Sequence, residues 1–394
     1  MSNSTFHDIR IICQSVIGTL ATSYLAYMYY REYFQTKKEA PRASKNVAEL
    51  IGNTPMIKIQ SLSQYTGCEI YAKLEYCNPG GSAKDRVALA IIRDFEAKNV
   101  IKQNRGDVIF EGTSGSTGIS FAMLSNALGY TAHICLPDDT SNEKLQLLEA
   151  YGAEIEKVKP ASIVDPNQYV NAAKRGAKAL TDDISTVSVG VFADQFENDC
   201  NWRIHYKTTG PEILEQMNQN VDYFVTGSGT GGTIAGCSKF LKENNPNLKV
   251  FLADPQGSGL YNRVKYGVMY DNVEKEGTRR RHQVDTIIEG IGLNRVTHNF
   301  ATGEYYIDDS IRVTDDEAVK MACFLSIKDG LFLGSSSCIN AVAALRVALD
   351  APKGSRIVII ACDNGSRHLS KFWKAAGAVP KTISIQDILE KKNS

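Results

Sequence analysis

Asn78-Pro-Gly-Gly-Ser-Ala-Lys-Asp-Arg86, entered from the β-rich run Tyr71-Ala-Lys-Leu74, is the stretch on which the reading of this chain turns. Pro79, Gly80 and Gly81 set a tight turn, and Ser82 is placed to cap the N–H groups of a helix carrying Val87, Ala90, Ile91 and Phe95. Lys84 then falls in the first helical turn, the end at which the helix dipole favours anions over cations. Taken alone, it is an exposed lysine near a helix start. Its surroundings decide whether it faces something bound.

Outward from that junction, short apolar runs bounded by Gly, Pro or Asp alternate with helical patterns. Residues 108–110, 132–136, 221–225, 250–253 and 357–361 read as buried strands. Helices are expected over 118–128, 142–151, 167–180, 232–242, 315–327 and 339–349, and Thr314-Asp-Asp-Glu317 is a capping box. Alternation of this kind predicts an α/β fold with parallel sheets, and 394 residues suggest two of them.

Lys+Arg and Asp+Glu both total 44, so no basic excess points to nucleic acid and no acidic tail to a solvating role. The nine cysteines are scattered without a Cys-x-x-Cys pair, and no two of the six histidines have ligand spacing. The expectation is reduced thiols, with neither a disulfide framework nor a metal site. Residues 11–30 carry no charge, lie between Arg10 and Arg31, and end on Tyr24, Tyr27, Tyr29 and Tyr30. That length and those tyrosines suit a single membrane anchor, with a peripheral or buried helix as the alternative. Arg31, Lys37, Lys38, Arg42 and Lys45 on its C-terminal side would keep the catalytic body cytosolic.

Three loops stand at strand ends leading into helices, where such sheets place chemistry. Glu111-Gly-Thr-Ser-Gly-Ser-Thr-Gly118 offers hydroxyls and backbone donors for a carboxylate, or is an ordinary capped turn. Gly227-Ser-Gly-Thr-Gly-Gly-Thr233 permits close backbone approach to a phosphate. Gly227, Gly229 and Gly232 also satisfy G-x-G-x-x-G with Asp254 ending the next strand, so a nicotinamide-dependent dehydrogenase is a rival from another class. That rival gives no role to Lys84 or to the other two loops. In Gly330-Leu-Phe-Leu-Gly-Ser-Ser-Ser337 a neutral hydroxyl is available to a ring nitrogen, or the serines cap a helix.

A lysine amine, a carboxylate loop, a phosphate cup and a neutral hydroxyl together describe a site for pyridoxal phosphate and an amino acid. The chain resembles the cysteine synthase (O-acetylserine sulfhydrylase) and cystathionine β-synthase family, fold type II of the pyridoxal-phosphate enzymes, over roughly 47–372. The resemblance rests on Leu50-Ile-Gly-Asn-Thr-Pro55, Asn78 to Arg86, Thr113-Ser-Gly-Ser-Thr-Gly118, Asp194-Gln-Phe196, Thr208-Thr-Gly-Pro-Glu212, the 227–233 cup, Glu289-Gly-Ile-Gly292 and Gly334-Ser-Ser336. It implies two α/β subdomains with mostly parallel sheets and the cofactor in the cleft. Lys84 is implied as the lysine that holds pyridoxal phosphate as an imine and takes the Cα proton. Gly229, Thr230, Gly231, Gly232 and Thr233 are implied at the phosphate, and Ser116 and Ser336 at the ring. Thr113, Ser114, Gly115, Thr117, Gln195 and Glu289 are implied at the substrate. The implied reaction converts O-acetyl-L-serine through an aminoacrylate, to which sulfide adds to give L-cysteine.

The expected division is an anchor and linker over 1–45 and a catalytic domain over 46–385, with subdomains of about 86–195 and 196–385 and 46–62 packing on the latter. A homodimer and a mitochondrial outer-membrane location are implied too. Two departures stand out. Ser116 replaces the family's asparagine, which leaves room for a catalytically weak interaction protein. The stretch 261–285 is long and carries Arg279-Arg-Arg281-His282, a solvated basic turn or a cap over the site. Glu289 resembles the cystathionine β-synthase version of its motif. A glutamate there is expected to be able to protonate a hydroxide leaving group, which keeps open a cystathionine β-synthase-like enzyme using serine and homocysteine.

Overall fold

The computed structural model describes residues 22–24, 27–28 and 43–390, apart from 114, 162 and 271–285. The chain divides into two compact units, residues 1–45 and 46–394. Of the first, residues 22–24 and 27–28 are helical and exposed. Most of the expected anchor at 11–30 lies outside the described residues, and among the described residues no helix is long and apolar enough to cross a membrane.

The second unit is built on two sheets. The smaller has the order β5 (Glu154–Val158), β4 (Thr131–Pro137), β3 (Val108–Gly112), β6 (Gly190–Phe192), all parallel. The larger runs β1 (Met56–Lys58), β2 (Glu69–Leu74), β10 (Arg356–Ala361), β7 (Tyr223–Gly227), β8 (Lys249–Pro255), β9 (Asp309–Val313). Among these strands only the β1–β2 pair is antiparallel. Central strands such as β10, with Ile357 to Ala361 fully buried, read as continuous apolar runs because helices cover both faces. The edge strand β5, Glu-Ile-Glu-Lys-Val, is half exposed and polar, which is why no apolar run announced it.

The expected helices appear, with shifted ends. The capping box forms as read, Thr314 Oγ1 accepting from the Glu317 N–H at 3.3 Å while Glu317 accepts from the Thr314 N–H at 2.8 Å. The helix expected from 339 begins instead at Ser335, with Gly334 as its N-cap, so the three serines are its first turn rather than a preceding loop. Loops after β3, β7 and β10 converge at the C-terminal ends of their strands, the side on which α/β sheets present ligand sites.

Candidate active site

The junction holding Lys84 folds as its sequence requires. Gly81 sits at φ +79°, where L side chains are strained, and a Cβ on Gly80 would lie 2.3 Å from Asp85 Oδ1. Asp85 in turn accepts from the Gly80 N–H at 2.6 Å and from Ser120 Oγ at 2.5 Å, and burial raises its pKa to about 6. Ser82 does accept the Lys84 N–H, at 3.2 Å, but the helix Lys84–Ala97 is entered through Ala83. Lys84 lines a cavity of about 520 Å³ together with residues of all three converging loops.

Behind that lysine the remaining motif residues form a buried girdle. Arg86 grips Glu75 at 2.8 and 2.9 Å and Glu212 at 2.7 Å through each terminal nitrogen. Lys73 reaches Glu212 at 2.7 Å, and Asn78 Oδ1 accepts from the Gly52 N–H at 2.8 Å. These contacts tie three motifs to one another and none of their side chains lines the cavity. Motif residues that identify the sequence thus include scaffold as well as site.

On the carboxylate side, Thr113, Gly115, Ser116 and Thr117 line the cavity, whereas Ser114 lies outside the described residues. Thr117 Oγ1 donates to Gln195 Oε1 at 2.5 Å, and the Gln195 amide nitrogen donates to Glu111 at 3.3 Å. The amide is therefore locked in one orientation. Complete burial pushes the Glu111 carboxyl up to about 8, so it is a largely protonated anchor at neutral pH. Sequence reasoning missed Glu111, whose only signal was a charge inside the apolar strand Val-Ile-Phe-Glu-Gly.

The cup is a glycine cradle at a helix start. The helix Gly232–Asn244 has Gly231 as N-cap, at φ +91°, and no side chain caps it. A Cβ on Gly229 would lie 2.1 Å from the Gly290 carbonyl, and one on Gly231 would lie 2.4 Å from the Phe300 nitrogen. Thr230 Oγ1 accepts from Asn201 at 2.8 Å, and Thr233 Oγ1 meets His205 Nε2 at 3.2 Å. Burial, then Arg86, keeps that histidine neutral. Donors at a helix N-terminus left to a ligand, with glycines that admit no side chain, fit a phosphate. Asp254, which the dinucleotide reading needs at a ribose, is fully buried and its Oδ2 accepts from the Tyr261 N–H at 2.7 Å.

The three serines separate by role. Ser335 Oγ accepts from the Glu289 N–H at 3.0 Å and Ser337 Oγ accepts from the Cys362 N–H at 2.8 Å, while Ser336 lines the cavity. One helical turn further, Asn340 accepts from the Gly227 N–H and donates to the Ile360 carbonyl, both at 2.7 Å, and so fixes the ends of β7 and β10.

Beside the cup, whose Gly229 packs against Gly290, lies a second charge cluster, which sequence spacing did not disclose. Glu289 pairs with Lys144 at 2.6 Å and with His368 Nδ1 at 3.3 Å, and His368 Nε2 meets Asp363 at 3.0 Å. Burial opposes the charges, yet His368 and Lys144 hold Glu289 down to about 2, and Asp363 and Glu289 lift His368 to about 9. Glu289 is therefore a fixed carboxylate, and the proton-donor role expected of it does not suit this environment. Ser116 Oγ accepts from Arg367 at 3.0 Å and lies 3.5 Å from Asp363 Oδ2, so this short side chain is tied to the wall. Asp363 Oδ1 is buried at the cavity and has no partner among the described residues.

An amine beside a glycine cradle of a kind that suits a phosphate, with a neutral hydroxyl, between two mostly parallel sheets, is the arrangement of a pyridoxal-phosphate enzyme of fold type II. The family described as "Pyridoxal-phosphate dependent enzyme" matches residues 47–363, and the chain belongs to it. It is 61% identical over 378 residues to a "Putative mitochondrial cysteine synthase" of Saccharomyces cerevisiae, covering 96% of this chain and 95% of that protein. "Cysteine synthase 2" of Emericella nidulans is 52% identical over 364 residues, 89% of this chain and 85% of that one. Among solved structures, O-ureido-L-serine synthase superposes with a TM-score of 0.72 at 29% identity, over 88% of this chain and 99% of that one.

Proposed function

We infer that this chain is a pyridoxal-phosphate-dependent cysteine synthase, making L-cysteine from O-acetyl-L-serine and sulfide by β-replacement. The observation that carries the site is the Lys84 amine on the wall of the cavity whose other walls are the 229–233 cradle and Ser336. The names of the relatives that match nearly the whole chain support the reaction.

Bound there, pyridoxal phosphate supplies an electron sink that acidifies the Cα proton of an amino acid and lets its β-substituent leave. Backbone N–H groups of Gly229 to Thr233 would hold the phosphate, and Ser336 would meet the ring nitrogen without fixing a proton on it. Lys84 Nζ anchors the group and, once the substrate amine takes its place, is the base for the Cα proton. Thr113, Ser114, Gly115 and Thr117 bind the substrate carboxylate, with Gln195 pre-oriented by Thr117 and Glu111. Ser116, held by Arg367, would be on the ring side of the cavity.

Acetate leaves without needing a proton, whereas hydroxide from serine needs one. Glu289, held ionised, does not supply it, which favours O-acetylserine as donor over a cystathionine β-synthase-like reaction with serine. Purified, cofactor-loaded protein given O-acetylserine plus sulfide, or serine plus homocysteine, tests this: faster turnover of the second pair would overturn it. Lys84→Ala is expected to lower cysteine formation by about 10²–10⁴-fold and to abolish the visible band of bound cofactor. An unchanged spectrum in that variant would defeat the assignment.

We take residues 46–385 as the catalytic domain, with subdomains of about 86–195 and 196–385; of the segment 46–62, which the sequence suggested would pack on the latter, Met56, Ile59 and Leu62 do so, whereas Val47, Ala48 and Ile51 pack on the core of the former. Residues 11–30 anchor it to a membrane, with the mitochondrial outer membrane as the address. The charge-free run, its flanking cations and the word mitochondrial in one relative's name support this. Carbonate extraction of the full chain tests it, since complete release would sink the anchor. A homodimer, implied by the family resemblance, is tested by sedimentation.

A further inference from the structure

Away from the cavity, strands β4 and β5 bring together side chains that the proposed reaction does not use. His133 stands opposite Glu154 and Cys135 opposite Glu156 in the ladder, so all four point to one face. His133 Nε2 lies 3.2 Å from Glu156 Oε2, and Cys135 Sγ lies 3.4 Å from the same oxygen. One ligand atom from each of His133, Cys135 and Glu156 falls within 4.8 Å of the others. Zinc bonds of roughly 2.0–2.1 Å to nitrogen or oxygen and roughly 2.3 Å to sulfur, set tetrahedrally, require ligand atoms roughly 3.3–3.6 Å apart. The two edges that meet at Glu156, 3.2 and 3.4 Å, are close to those of such a tetrahedron, and the histidine–cysteine edge is at most 4.8 Å.

The remaining histidine nitrogen strengthens the case. His133 Nδ1 meets Glu154 Oε2 at 3.1 Å, the carboxylate–histidine contact that fixes tautomer and ring orientation in metal sites. Phe110 stacks on the same imidazole at 4.6 Å, so the ring is held from its face as well. Cys135 is fully buried while Glu154 and Glu156 are open to solvent, so the thiol forms the floor and the carboxylates the entrance.

We propose that His133, Cys135 and Glu156 bind one borderline divalent cation of the zinc type, with Glu154 as a positioning residue and solvent as fourth ligand. Burial and the adjacent Glu156 carboxylate push the Cys135 thiol up, a cost that a bound cation reverses by neutralising the pair. The site would clasp the edge strand β5 to β4. His133 and Cys135 alternate on β4 and the third ligand comes from β5, which is why a search for Cys-x-x-Cys and histidine–histidine spacing pointed to no metal.

The test uses the full-length, cofactor-loaded protein, freed of metal by chelation and kept from substrate and thiol reductants, titrated with Co²⁺ and then Zn²⁺. We expect one Co²⁺ per chain with intense tetrahedral bands and a thiolate charge-transfer band, both discharged by Zn²⁺. Difference spectra against Cys135→Ser remove the cofactor's absorption, and that variant should lose the charge-transfer band. Glu154→Gln should weaken binding about 10–100-fold while keeping the band. Glu156→Gln, at a half-exposed edge that does not threaten folding, should weaken it further. No tetrahedral Co²⁺ spectrum in the parent protein, the same band in Cys135→Ser, or unchanged affinity in Glu156→Gln would each overturn the proposal.

Discussion

Two buried charge clusters flank Lys84, and they differ in what they leave undone. The girdle of Arg86, Glu75, Glu212 and Lys73 is closed: its cations grip its carboxylates at 2.7–2.9 Å and no member lines the cavity. In the wall cluster, Lys144, Glu289 and Asp363 do line the cavity, His368 bridges the two acids, and one Asp363 oxygen is unsatisfied among the described residues. A closed network specifies a fold. An open one, with charged side chains on the cavity wall, can meet a ligand.

The largest expected effect tests the closed side. Arg86→Met leaves Glu75 and part of Glu212 buried without a cation, which should cost about 3–5 kcal/mol of stability in denaturant titrations. The folded fraction should keep the cofactor's absorption band and its response to O-acetylserine. A stable Arg86→Met protein that has lost the band would break the distinction between scaffold and site.

Next in size is a pH effect belonging to the open side. His368 has its folded pKa raised above the ordinary 6.5 to about 9, so its contribution is complete below pH 6.5 and is lost as pH rises through 9. The amount is on the order of 3 kcal/mol. Glu111, raised to about 8, adds a separate alkaline loss that begins at lower pH. Stability measured across that window should therefore fall more steeply in the parent protein than in His368→Gln, which retains only the Glu111 component. Parallel curves would show that His368 is neutral in the fold and that the wall cluster is not charged as described.

The same contrast explains what was legible beforehand. Lys84, the 229–233 cradle and the alternation of strands and helices are local patterns: a turn, a cap, a run of apolar residues. The resemblance to a family extended them to Gln195, which does line the cavity, but it gave no sign that Arg86 and Glu212 belong to the scaffold behind it. Lys144, Glu289 and the Asp363–His368 pair lie far apart in the chain and meet only through the packing of segments from both sheets, so no spacing rule joins all four. Glu111 was read as the first residue of a loop, whereas it lies within β3 and is fully buried. The edge strand β5 lacked an apolar run because one side of it faces water, and with it the His133–Glu156 pairing was invisible.

The smallest effect is the sharpest test, because it lies within three consecutive serines of one helical turn. Ser337 belongs to the closed kind of contact: Ser337→Ala leaves the buried Cys362 N–H without its acceptor and should cost about 1–3 kcal/mol with the cofactor band unchanged. Ser336 belongs to the open kind, its hydroxyl meeting only the Cys362 thiol among the described residues. Ser336→Ala should leave stability within about 0.5 kcal/mol, while cofactor affinity falls about 5–10-fold, as expected for one hydrogen bond worth about 1 kcal/mol. Two residues with the same side chain and nearly the same burial would then separate stability from cofactor binding. If both variants lost stability alone, Ser336 would be a structural contact like its neighbours, and the ring nitrogen would have to find its partner elsewhere on the cavity wall.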